Sequence, residues 1–187
     1  MTRAVVTTCV LVINLLPSLA GAQSTPSASS PAAAVVLEML SSVEKAITGV
    51  AEEMPADKYE FVPREGNFRG VRTFSRQIKH AAAVQHLVAA TILGEPVTAD
   101  MADERGPDSV RTKAEELQYL KDSFTALKRA AATIDEANAF AVFKGPFGSG
   151  SETRLGVVAL AVSHSWNHYG QVVPYLRMNG LAPPRTP

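Results

Sequence analysis

Four stretches of the chain repeat apolar residues at intervals of three and four, and each is bounded by residues that start or stop helices. Between Pro31 and about Met54, the residues Val36, Met39, Leu40, Val43, Ile47 and Val50 form a stripe, with Glu38, Ser42, Lys45 and Glu52 mainly off it. Ser30 caps this helix and Pro31 takes the first helical position, where a missing N–H costs nothing; Pro55 stops it. A second helix runs from Phe74 to about Leu93 on Ile78, Ala81, Val84, Val88 and Ile92, capped by Thr73 and closed by Gly94 and Pro96. Thr112-Lys113-Ala114-Glu115 has the form of a capping box. The helix it opens carries Leu117, Leu120, Phe124, Leu127 and Ala131 on one face and fades near Thr133. The last helix, from about Glu152 to Met178, is apolar nearly all round, as expected for the central helix of a bundle. Asn179-Gly180 and Pro183-Pro184 end it.

The connections at 55–72 and 94–111 are polar and rich in Pro or Gly, and 135–150 reads as extended or irregular. With four long helices and no convincing strand, the fold class is all-α, most simply a four-helix bundle. No internal repeat is present, and no low-complexity segment follows residue 30.

The amino terminus changes the inventory of reactive groups. Arg3, an apolar run from Ala4 to Leu16, Pro17-Ser18 and then Ala20-Gly21-Ala22 follow the pattern of a secretory signal over residues 1–22. The run is shorter than the roughly 20 apolar residues of a membrane-spanning helix, so no stable anchor is expected after cleavage. Residues 23–31 read as a flexible lead-in and 32–184 as a single domain. The chain has 18 Lys+Arg and 18 Asp+Glu; cleavage after Ala22 removes Arg3 and no acid, leaving 17 bases against 18 acids. That balance argues against nucleic acid as a partner. Cleavage also removes Cys9, the one cysteine, which lacks the context of a lipid-attachment site. The exported protein, periplasmic or secreted, then has no thiol nucleophile, disulfide or cysteine metal ligand.

The candidate chemistry lies in His164-Ser165-Trp166-Asn167-His168. Residues four apart on a helix project from the same face, so both imidazoles can reach one ion. Around them fall Val157, Leu160, Ala161, Val172 and Tyr175, an apolar stripe in which two charged imidazoles would be costly. Two neutral rings on a divalent metal satisfy that stripe; so do core histidines bonded to a hydroxyl or a carbonyl. Ser165 stands where a zinc protease of the H-E-x-x-H type has glutamate, which removes that reading. On the second helix His80 lies on the polar flank beside Gln77 and is the better third ligand, whereas His86 points about 120° away and reads as a surface or rim residue. Gln171 shares the histidine face and could orient a ligand; Asn167 and Tyr169 project to other sides, and Tyr175 reads as packing.

Met54-Pro55-Ala56-Asp57-Lys58-Tyr59, Arg72-Thr73-Phe74 followed by His80, and the closing segment His164-Ser165-Trp166-Asn167-His168-Tyr169-Gly170-Gln171 through Gly180 together resemble the DinB/YfiT-like family, over about residues 32–184. The resemblance implies an up-down four-helix bundle with long connections and a divalent transition metal, zinc or nickel, held by His80, His164 and His168. It also implies a metal-dependent enzyme of hydrolase or thiol-dependent transferase type, in which water or the thiolate of a low-molecular-weight thiol is activated at an open coordination position. Export stands against the thiol chemistry, because such thiols are kept reduced in the cytoplasm. The competing reading is a non-catalytic bundle with a structural metal or a bound ligand. A small-molecule substrate fits the first reading, and the doubly apolar last helix is compatible with a homodimer.

Overall fold

The computed structural model of the protein describes Met1, residues 30–148 and residues 152–185. The expected signal segment, Cys9 and the lead-in up to residue 29 lie outside the described residues. Helix α1 spans Pro31–Glu53. Ser30 begins it in two ways: its hydroxyl oxygen accepts from Ala33 N–H at 3.1 Å and its O–H donates to Ile134 O at 2.7 Å. Met54 turns extended before Pro55 and ends it. A 3₁₀ turn at Ala56–Lys58 delivers Tyr59, whose hydroxyl donates back to Ala51 O at 2.6 Å and whose ring meets Phe74 edge-on at 5.2 Å.

Helix α2 spans Phe74–Leu93 between the Thr73 cap and Gly94, whose φ of 70° is the left-handed stop that glycine supplies without strain. The connection that follows contains a one-turn helix, α3 at Ala99–Ala102, absent from the sequence reading. Helix α4 spans Lys113–Ala131 and opens with the full Thr112–Glu115 capping box. The stretch read as extended holds strand β1, Val142–Phe143, paired antiparallel with β2, Glu152–Thr153. Thr153 caps helix α5, Arg154–Met178, which therefore begins at Arg154 rather than at Glu152.

The family of ties between helices fixes their directions. Lys113 Nζ, at the start of α4, donates to Glu52 O and Met54 O at the end of α1, and Lys128 pairs with Glu44 one end away, so α1 and α4 are antiparallel. Ser75 bonds Glu116 and Gln85 bonds Ser123, so α2 and α4 run parallel. Gln77 and His80 face the later part of α5 while Gln85 meets Ser165, so α2 and α5 are antiparallel. The order is up, down, down, up. Parallel neighbours cannot be joined by a tight turn: a 20-residue helix is about 30 Å long, and the chain must return that distance before starting again. The long connection between α2 and α4 is what permits the arrangement.

Phe74, Phe124, Leu40, Ile47, Leu120, Leu127 and Leu176 fill the interior between these helices. At its centre Gln85, fully buried, donates to Ser165 Oγ at 3.0 Å and accepts from Ser123 Oγ at 2.9 Å, tying α2 to both neighbours. Helix α5 is not the enclosed centre that its composition suggested. It packs on α1 and α2, and its outer edge exposes Gly156, Leu160, Ser163, Asn167, Gly170 and Pro174. Leu160, grouped with the histidine stripe by the sequence reading, is 46% exposed. Small residues on that edge raise the mean apolarity of the helix without making a second buried face. Among the described residues no helix is long and apolar enough to cross a membrane.

Candidate metal centre

The antiparallel contact of α2 with α5 brings His80 opposite His164 and His168. The two partners four residues apart on α5 lie on one face, as helix geometry requires, and the α2 residue closes the triangle. His164 Nε2 is 3.1 Å from His80 Nε2 and 3.0 Å from His168 Nε2. The three rings meet edge-on, with centroids 4.4 to 5.0 Å apart. His80 and His168 are buried, at 6% and 4% exposure, and His164 is half-buried. These three residues form a cluster able to hold a metal ion.

The outer nitrogens decide what the inner ones present. His80 Nδ1 lies 2.8 Å from the backbone carbonyl of Glu104. A carbonyl only accepts, so Nδ1 carries the hydrogen and the neutral ring turns a lone pair inward at Nε2. Gln77 Nε2 donates to Gln171 Oε1 at 2.8 Å, which leaves Gln77 Oε1 to accept from His168 Nδ1 at 2.7 Å. His168 Nε2 therefore also presents a lone pair. Between them, His164 Nε2 can carry at most one hydrogen and can satisfy only one of its two close contacts. Its own Nδ1 is buried without a partner. A cation among the three nitrogens removes this conflict, because it accepts every inward lone pair at once. The residues present thus fit a divalent ion.

Electrostatics keep the donors ready. Burial, reinforced by the His80 ring and by Arg72, lowers the His164 pKa to about 4. Burial, with His164, His80 and Arg72, lowers that of His168 to about 3. Burial also lowers His80, against the opposing pull of the Glu104 carbonyl. All three are neutral near pH 7, the form in which imidazole binds metals.

Beside the cluster, a cleft of about 600 Å³ opens between the starts of α2 and α4, with His80 in its wall. Glu116 lies in it at 2% exposure. One carboxyl oxygen accepts from Ser75 Oγ at 2.6 Å, the other has no partner, and burial pushes the carboxyl pKa up. Lys79 is occupied by Pro107 O and Val110 O. Arg72 lines the same cleft and, among the described residues, pairs with no carboxylate.

The sequence reading placed His80, His164 and His168 together, and the fold does so. It left out two groups. Gln77 sits one turn before His80, and its place on the same flank was the available signal; the Glu104 carbonyl has no side-chain signature at all. Gln171 bonds Gln77 rather than a histidine, one link further out than expected. Asn167, read as projecting elsewhere, accepts from Gln171 Nε2 at 2.5 Å and ends this relay. Tyr175 is core, as read, edge-on to Phe61, and its hydroxyl donates to Arg72 O at 3.0 Å. Tyr169 packs on Trp166. Of the surface and rim readings of His86 the second fits: the residue is half-buried, its ring lies 4.8 Å from that of Tyr119, and it stands apart from the cluster. Its turn of α2 faces α4, not α5.

Residues 39–172, more than half of the chain, match the profile of the DinB superfamily, and the match includes all three histidines, Gln77 and Glu104. No curated protein matches the chain.

Proposed function

The chain belongs to the DinB superfamily, and from that premise we propose that it binds a divalent transition metal through Nε2 of His80, His164 and His168 and uses it in catalysis on a small molecule. The observation that carries the reading is the meeting of two forced lone pairs at His164 Nε2, within 3.1 Å. Zinc and nickel both suit imidazole donors. Three protein donors leave a position open, where a bound ion supplies Lewis acidity; a structural zinc would normally have a fourth protein ligand. The remaining roles belong to the chain. Gln77 and Glu104 orient His168 and His80. The cleft shared with His80 admits the substrate, and Glu116 offers a buried carboxyl oxygen able to accept a hydrogen bond or hold a proton there. Hydrolysis or transfer to a thiol is the reaction class. The protein acts outside the cytoplasm after losing residues 1–22, which favours hydrolysis over thiol chemistry.

Elemental analysis of the purified protein, reconstituted with zinc or nickel, is expected to give about one ion per chain. His164→Ala and His168→Ala should lose it while keeping the helical circular dichroism of the parent. A parent protein that retains neither metal would sink the proposal. An ester and thiol-conjugation panel on the loaded protein then addresses reaction class, and amino-terminal sequencing of exported protein is expected to begin at Gln23.

A further inference from the structure

We propose that Glu104 is a positioning residue of the histidine site and acts through its backbone rather than its carboxylate. Its left-handed turn aims a carbonyl at His80 Nδ1 and so holds that ring in the state that presents Nε2 inward. The inference rests on the metal reading above and adds to it a residue from outside the helices that carry the histidines.

Among the described residues Glu104 is the only non-glycine with positive φ, at 55°. An L-residue there costs about 1 kcal/mol or more, and such a conformation persists only where surroundings enforce it. Here they do. Glu104 N–H donates to Met101 O at 3.0 Å, Arg105 N–H to Asp100 O at 3.2 Å, and Gly106 N–H to Asp100 O at 3.4 Å. Helix α3, too short to stand alone, supplies the carbonyls that wind this turn. Gly106 continues it at φ 71°, where a Cβ would come within 3.1 Å of Tyr119 Cε1.

The outcome of the turn is one short bond: Glu104 O to His80 Nδ1 at 2.8 Å. The carboxylate of the same residue lies at 3.7 Å from that nitrogen, beyond hydrogen-bond distance, and its side chain is 37% exposed. The carbonyl is the hydrogen-bonding partner that orients the ring, while the half-buried carboxylate acts on it only through its charge. His80 has no side-chain partner on its outer nitrogen comparable to the Gln77 amide of His168. Without the carbonyl, its hydrogen could move to Nε2, which would then point a proton at the ion's place.

The test compares Glu104→Gly, which keeps the turn and removes the carboxylate, with Glu104→Val, whose branched Cβ opposes positive φ. Imidazole ¹⁵N shifts of the metal-free full chain read the His80 tautomer; chelator competition reads zinc affinity. Glu104→Gly is expected to keep the Nδ1–H tautomer and to bind zinc within about threefold of the parent. Glu104→Val should populate the Nε2–H tautomer and bind about ten- to a hundredfold more weakly, the usual effect of losing a group that orients a ligand. If Glu104→Val does not fold, Glu104→Ala, less opposed to positive φ, should show the same two changes at smaller size. A Glu104→Gly protein that loses as much as the valine or alanine variant would assign the effect to the carboxylate and overturn the proposal; so would a folded valine or alanine variant with parental tautomer and affinity. A parent that binds no zinc defeats the metal reading alone, since the tautomer comparison needs no metal.

Discussion

Lowering the pH from 7.5 to 5.5 separates a desolvated histidine cluster from three ordinary surface imidazoles. Protons and metal compete for the same lone pairs. Three imidazoles with the usual pKa of about 6.5 would each weaken metal binding about tenfold at pH 5.5, and together about a thousandfold, or about 4 kcal/mol. In this site His164, at about 4, and His168, at about 3, remain neutral at that pH and contribute almost nothing. His80, shifted in the same direction, adds at most about tenfold. The expected loss is therefore about tenfold or less, near 1.4 kcal/mol at its upper bound. Competition against a chelator of known protonation, run at both pH values, measures it. A loss approaching a thousandfold would refute the reasoning, because it would mean that the rings titrate as if in water. The metal-free fold shows the complementary sign. A histidine whose folded pKa is depressed stabilises the fold above about pH 6.5, and that stability is lost as pH falls toward the folded values.

Three further outcomes test other parts of the molecule. Gln85→Leu is expected to cost less than about 1.5 kcal/mol in urea unfolding, because Ser123 and Ser165 keep their own carbonyl partners, Leu120 O and Ala161 O, and the volume is nearly conserved; a loss above about 3 kcal/mol would make the three-helix tie a major term. Glu116 has a raised folded pKa, so its contribution to stability is present below about pH 4.5 and is lost as pH rises. The melting temperature of Glu116→Gln should consequently gain on the parent between pH 4.5 and 8, and a pH-independent difference would contradict the burial argument. His86→Ala should retain metal as the parent does while His80→Ala loses it; equal losses in the metal analysis would put His86 among the ligands.

What could be read from sequence here divides by the range of the interaction. Ser30-Pro31, Thr73 and the Thr112–Glu115 box were legible because capping is settled within four residues. The pairing of His164 with His168 was legible for a similar reason, since one turn of helix determines it. His80 could be preferred to His86 from its place on the flank of α2, and the family resemblance strengthened that choice, but its distance from the pair is set by the packing of α2 on α5. The parallel course of α2 and α4 was not legible, nor was α3, whose four residues serve the turn at Glu104 rather than any apolar pattern of their own. The apolar reading of α5 misled because Gly156, Ala159 and Gly170 count as non-polar in a pattern yet sit in solvent. Gln77 stood in view on the flank of His80, but only the approach of α5 gives its amide two partners.

The parallel course of α2 and α4 has an electrostatic result. It sets two helix amino termini side by side at the cleft, joined across their first turns by Ser75 and Glu116. Each such end carries about half a positive elementary charge, and Arg72 and Arg111 stand beside them. Three neutral imidazoles would leave a bound dication its whole charge. The cleft wall itself sets Arg72, Arg76, Lys79, Arg105 and Arg111 against Glu60, Asp103, Glu104, Asp108 and Glu116, five against five, so a positive excess there would come from the helix ends and the bound dication. With such an ion bound, a small anion approaching the cleft would be drawn in and a cation turned away. Raising salt shortens the reach of that field to about 3 Å at 1 M, so the arrival of an anionic ligand should slow with ionic strength while that of a neutral one keeps its rate.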